Sequence, residues 1–134
     1  MAIIEGYNLP DNLYYHENGT WVKLQGENVR IGVTDFYQKL AGKITYLDFP
    51  FENDELIQGD PCGRIQFDKL IAPVSGTVIT VNQELEDNLN IINKEPYASG
   101  WIIIVRTSNI DEELKNLYHG EKAVEWLKNK LTNK

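Results

Sequence analysis

The chain has one cysteine, Cys62, and two histidines, His16 and His119. A single thiol excludes an internal disulfide and provides no cysteine set for a metal. Its neighbours Pro61 and Gly63 place Cys62 near a turn into a strand, where a small, half-buried filler is expected. The histidines lie in different regions without a ligand-spaced partner, so no metal is expected at either. His119, beside Gly120, reads as a histidine at a helix terminus. Basic residues are also scarce. Lys and Arg total 13 against 20 Asp and Glu, a formal net charge of -7. That balance argues against nucleic acid, because phosphate binding needs a basic face. No apolar run is long enough to span a bilayer. The opening MAIIEGYNLPDN lacks the basic-then-apolar order of a secretory signal. A cytoplasmic protein with no membrane partner is expected.

Catalytic signatures are missing as well. There is no Gly-rich phosphate loop and no Ser-His-Asp arrangement. The acidic groups Asp48, Glu52, Asp54, Glu55 and Glu84, Glu86, Asp87 lack the alternating ligands, central Gly and final Glu of a calcium loop. They read as solvated loop faces. Trp21, Trp101 and Trp126 fit core positions. The residues supply no catalytic machinery, and a non-enzyme is expected.

What is present is an ordinary globular balance, 42% hydrophobic and 25% charged, over 134 residues. That length suits one domain, residues 1–134, with a real core. From Thr20 to Arg106 most segments are short, β-branched or aromatic, and bounded by Gly, Pro, Asn or Asp. TWVKLQGENVRIGV predicts a hairpin turning at Gly26-Glu27-Asn28. TDFYQKLAG predicts one helix, capped by Thr34 and ended by Gly42. WIIIV, apolar at every position, predicts a strand covered on both faces or central in its sheet. From Asp111 the period becomes helical and breaks at Gly120. Two short helices over 111–131 are expected to pack on the sheet, followed by a polar tail from Thr132 to Lys134.

An internal repeat sets the architecture. Gly42 matches Gly76, Ile44 matches Val78, Leu47 matches Val81, Glu52 matches Glu86, and Ile57 matches Ile91. After extra residues in the second copy, Gly63 matches Gly100. Neither half could bury its apolar face alone, so the halves should face each other. The expected fold is mainly β: a flattened barrel or sandwich of two similar halves, with short C-terminal helices. The stretch GRIQFDKLIAPVSG, where the copies join, is expected as a hairpin at one end.

These residues resemble the glycine cleavage H-protein family within the biotinyl and lipoyl carriers, whose fold is a barrel-sandwich hybrid. HENGTWVKLQGENVRIGVTDFYQKLAGKITYLDFP is similar to the family's opening signature. APVSGTVITVNQELEDNLNIINKEPYASGWIIIV resembles its second signature, and GEKAVEWLKNKL its closing helix. The resemblance implies a lipoyl carrier that shuttles an aminomethyl group on a lipoyl-lysine arm. It also implies its partners: a pyridoxal-phosphate glycine decarboxylase, an aminomethyltransferase, a dihydrolipoyl dehydrogenase and a lipoate ligase. The cofactor implied is covalent lipoate, with no metal. Biotin is not expected, since the Met-Lys-Met of biotin carriers is absent.

The attachment segment departs from the family. Counted from Gly63, GRIQFDK places Lys69 on the lipoylated position, as the candidate cofactor-binding residue. Counted back from Ala72-Pro73-Val74-Ser75-Gly76 it does not, because residues expected between lysine and proline are missing. Gln66 stands where the family has Glu. If Asp68 and Lys69 form a two-residue loop, Phe67 faces Leu70 and Ile65 pairs with Ala72. Three functions follow: an H-type lipoyl carrier, an H-like paralogue without the arm acting as a binding protein, or a lipoate-binding protein of a sulfur-oxidation pathway.

Overall fold

The computed structural model describes residues 2–132. In chain order the strands begin with β1 (Ala2–Ile4), β2 (Tyr7–Leu9), β3 (Tyr14–Tyr15), β4 (Thr20–Gln25) and β5 (Asn28–Val33). Helix α1 (Asp35–Ala41) leads to β6 (Leu47–Asp48), β7 (Glu55–Leu56), β8 (Pro61–Ile65), β9 (Asp68–Ile71) and β10 (Gly76–Val81). Helices α2 (Glu84–Asp87) and α3 (Asn90–Lys94) precede β11 (Ile103–Thr107). The chain closes with α4 (Ile110–Glu113), a 3-10 turn, β12 (Tyr118–His119) and α5 (Glu121–Thr132). Among the described residues no helix is long and apolar enough to cross a membrane.

Every strand pairing is antiparallel. A seven-stranded sheet runs β12-β3-β4-β5-β11-β10-β7, and a three-stranded sheet runs β6-β8-β9. The apolar strand lies inside the larger sheet, between β5 and β10, with Ile102, Ile103 and Val105 fully buried. The repeat is visible in the pairing but not in its exact register: Leu47 pairs with Ile65 in the first copy, whereas Val81 pairs with Ile103, one residue beyond Ile102, the match of Ile65. The second copy folds into α2 and α3 between its two strands, where the first copy has turns and the short β7.

One core fills the space between the sheets, with Val22, Ile31, Ile44, Ile65, Leu70, Val78 and Ile103 at its heart. A second gathers Tyr15, Trp21, Phe36, Trp126 and Leu127 beneath α5. Trp21 faces Gly32 across β4 and β5. A Cβ at Gly32 would come 2.6 Å from the indole, so the missing side chain is what admits the ring. Trp126 is buried, while Trp101 is half-buried, with the Arg30 guanidinium 5.2 Å from its ring.

Helix α1 forms as its sequence predicts. The Thr34 hydroxyl accepts from the Tyr37 N–H, and Gly42 ends the helix at φ 76°. The first hairpin turns on Gly26-Glu27, since Gln25 already pairs with Asn28. The C-terminal segment differs from two plain helices. His119 lies in a strand paired to β3, its Nδ1–H donating to the Leu13 carbonyl at 2.9 Å and its ring stacked on Tyr14. It is therefore held by sheet pairing rather than at a helix terminus. Thr132 belongs to α5, and the remaining tail residues lie outside the described ones.

Candidate functional site

The hairpin that joins the two copies turns two residues earlier than the Asp68–Lys69 loop reading. Ile65 pairs with Asp68 and Arg64 with Lys69, so the two-residue turn is Gln66–Phe67. Lys69 stands on β9, beyond the tip, and its side chain is exposed. Strand alternation explains this: Ile65 and Leu70 go into the core, while Arg64 and Lys69 face solvent. Direct cross-strand partners share a face, so two cations stand side by side here. No carboxylate among the described residues forms an ion pair with either.

Gln66 fixes the tip. Its φ of 55° is a left-handed value usually given to Gly or Asn in such turns. The side chain compensates by binding the segment after α1. Its Oε1 accepts from the Thr45 N–H at 2.7 Å and the Tyr46 N–H at 3.1 Å, and its Nε2–H donates to the Lys43 carbonyl at 2.9 Å. The Gln66 N–H donates to the Tyr46 carbonyl at 3.0 Å. Phe67, the other turn residue, is 94% exposed. Gly63 lets β6 approach, since a Cβ there would run into the Asp48 carbonyl.

Asp68 is held from the opposite side. The Tyr37 hydroxyl donates to its carboxylate at 2.7 Å and lies 3.3 Å from the Ile65 carbonyl. Burial, and then the Asp68 contact, push the Tyr37 phenol well above its ordinary range. An open cleft of about 720 Å³ lies beside Lys69, lined by Glu17, Asn18, Tyr37, Asp68, Trp126 and Lys130 among others.

The strand after the hairpin is anchored by Glu113, which is buried. Its carboxylate accepts from the Ser75 N–H at 2.6 Å and the Ser75 hydroxyl at 2.5 Å. The Gln58 amide bridges the Pro73 and Glu113 carbonyls. Cys62 is half-buried, and burial pushes its thiol up to about 11, which suits a packing residue rather than a nucleophile. His16 is held below its ordinary value by burial, against the pull of Glu17, and its Nδ1 accepts from the Asn18 N–H at 3.2 Å. The acidic loop residues form no group of three or more potential metal ligands among the described residues.

Gln66, Tyr37 and Glu113 were not singled out by sequence reasoning. Their partners lie 21 to 38 residues away, beyond any local pattern. Only the replacement of an expected Glu marked Gln66.

A β scaffold that sets the exposed Lys69 amine beside an open cleft fits a carrier. The comparisons with known proteins agree. The family model for the glycine cleavage H-protein matches residues 13–130. A glycine cleavage system H protein of Halalkalibacterium halodurans is 42% identical over 109 residues, covering 78% of this chain and 85% of its own. A probable glycine cleavage system H protein 2 of Sulfolobus acidocaldarius is 35% identical over 141 residues, covering 99% and 94%. The crystal structure of a glycine cleavage system H protein from Mycobacterium marinum matches with TM-score 0.71 and 25% identity, covering 75% and 87%. This chain belongs to the glycine cleavage H-protein family. The family is a non-catalytic lipoyl carrier.

Proposed function

We propose that Lys69 carries lipoate in amide linkage and that the chain shuttles an aminomethyl group in glycine cleavage. The reading includes its partners: a pyridoxal-phosphate glycine decarboxylase, an aminomethyltransferase, a dihydrolipoyl dehydrogenase and a lipoate ligase, working in the cytoplasm. The observation that carries it is the state of the Lys69 amine. It is exposed, without an ion-pair partner among the described residues, and set just past a tip that Gln66 and Tyr37 hold from two sides. Such an amine fits acylation, and a fixed attachment point suits an arm that must reach several enzymes.

When attached, the dithiolane supplies the reactive sulfur pair on which the partners act. The chain's own residues hold the attachment strand: Ile65 and Leu70 root it in the core, and Glu113 secures the segment that follows. The cleft beside Lys69 gives an arm room to lie against the protein. In this reading residues 1–134 act as one carrier domain, with 111–131 packed on it through Leu117, Ala123 and Leu127.

A second reading, an H-like binding protein without the arm, is favoured by the shortness of the turn and by Gln66 in place of Glu. Intact-mass spectrometry after co-expression with a lipoate ligase and free lipoate separates the two. A gain of one lipoyl amide, absent in Lys69→Arg, supports the carrier. An unmodified mass, with a second H protein modified in the same cells, supports the binding protein.

A further inference from the structure

Phe67 is nearly fully exposed, at the extreme of a hairpin whose other turn residue is fastened by its side chain to Lys43, Thr45 and Tyr46. An exposed phenylalanine contributes nothing to this core, and a turn position is more cheaply filled by a polar residue. Its backbone is already ordered, so placing the ring in a pocket costs little further entropy. The strands that carry it set two cations, Arg64 and Lys69, side by side just behind the turn on a chain of net charge -7. The Asp68 carboxylate is engaged by Tyr37.

From this we infer that Phe67 is the anchor by which the enzyme acylating Lys69 recognises this chain. The matching surface is an apolar pocket with a carboxylate rim, beside that enzyme's acyl channel. The inference rests on the proposed attachment at Lys69. The choice of partner follows from where each reaction takes place. Amide formation occurs at Nζ itself. The neutral amine attacks the carbonyl carbon of an acyl adenylate, the C–N bond forms, the C–O bond to phosphate breaks, and AMP leaves with the electron pair. The amine's surplus proton passes to solvent. The tip residue two positions before Lys69 must enter the enzyme with it. Later partners work on sulfur at the far end of the arm and need not touch the tip.

The test uses the full chain, a lipoate ligase, ATP and free lipoate, and follows intact mass over time at several carrier concentrations. Phe67→Ser is expected to raise KM by about tenfold or more, the loss typical of a buried aromatic anchor, with kcat within about twofold. Phe67→Leu should recover most of the loss, and both variants should unfold at the wild-type temperature. Once loaded and purified, the Phe67→Ser carrier should be reduced by dihydrolipoyl dehydrogenase and NADH at the wild-type rate. Equal KM for wild type and Phe67→Ser overturns the inference and leaves the Lys69 reading standing. Slowed reduction of the loaded variant overturns the assignment to the acylating enzyme. A wild-type chain that gains no mass, or a Lys69→Arg chain that does, overturns both.

Discussion

The hydroxyl of Tyr37 on α1 reaches 2.7 Å to the carboxylate of Asp68, the residue just before the candidate attachment lysine. Helix and hairpin are therefore coupled by one charge-assisted bond across 31 positions of sequence. Tyr37→Phe should cost about 1 kcal/mol, at the low end for such a bond because the pair is partly solvated. Urea denaturation would read it. An unchanged midpoint would show that the contact holds nothing.

Gln66 should matter more. Gln66→Ala keeps the left-handed turn and loses every side-chain bond to Lys43, Thr45 and Tyr46, at a cost of about 1–2 kcal/mol. Gln66→Glu keeps the accepting oxygen but sets carboxylate against the Lys43 carbonyl, for about 1 kcal/mol. Amide exchange at Thr45 and Tyr46 should speed up in the alanine variant, and unaltered exchange there would contradict the clamp.

Gly63→Ala puts a methyl group into the Asp48 carbonyl, so β6 must shift from β8. Overpacking of this kind costs about 1–3 kcal/mol. The check is thermal unfolding, with a chemical-shift map placing the disturbance at Leu47 and Asp48.

Glu113→Ala leaves the Ser75 N–H without its acceptor under a half-covered surface, for about 2 kcal/mol. Unfolding curves should show the loss in full, and the strand Gly76–Val81 should exchange faster at its start. A neutral substitution would mean that water replaces the carboxylate.

His16 makes stability depend on pH. Its folded value lies below the ordinary 6.5 because burial penalises the charged form. The unfolded chain therefore binds the proton more readily, and the contribution is complete above 6.5 and lost as pH falls through the lower folded value. His16→Gln should flatten the stability profile below pH 6.5 and leave it unchanged above. A slope equal to wild type would assign the dependence to other groups.

Most of the fold was legible because it rests on local signals. Thr34 and Gly42 announce α1, alternation announces the strands, and the unbroken apolar WIIIV announces an interior one. The repeat announced an antiparallel strand pair in each copy, although the second is displaced by one residue. The hairpin turn was misplaced for a physical reason. Turn propensity favours Asp near a tip, but the observed turn is held at Gln66 by bonds to Lys43, Thr45 and Tyr46, contacts that no local pattern announces. Near His119 the helical spacing hid a strand only two residues long. The site was legible only as a candidate lysine, since its supports come from distant segments.

The pairing of Arg64 with Lys69 would make the proposed acylation an electrostatic event as well as a chemical one. Converting the lysine to an amide would remove one of two facing like charges, so the hairpin would gain stability with the arm installed. The same step would take the net charge one unit further negative than -7. Loaded and empty chains would then differ in mobility on a native gel and in retention on an anion exchanger, so occupancy could be titrated without touching the arm's sulfurs.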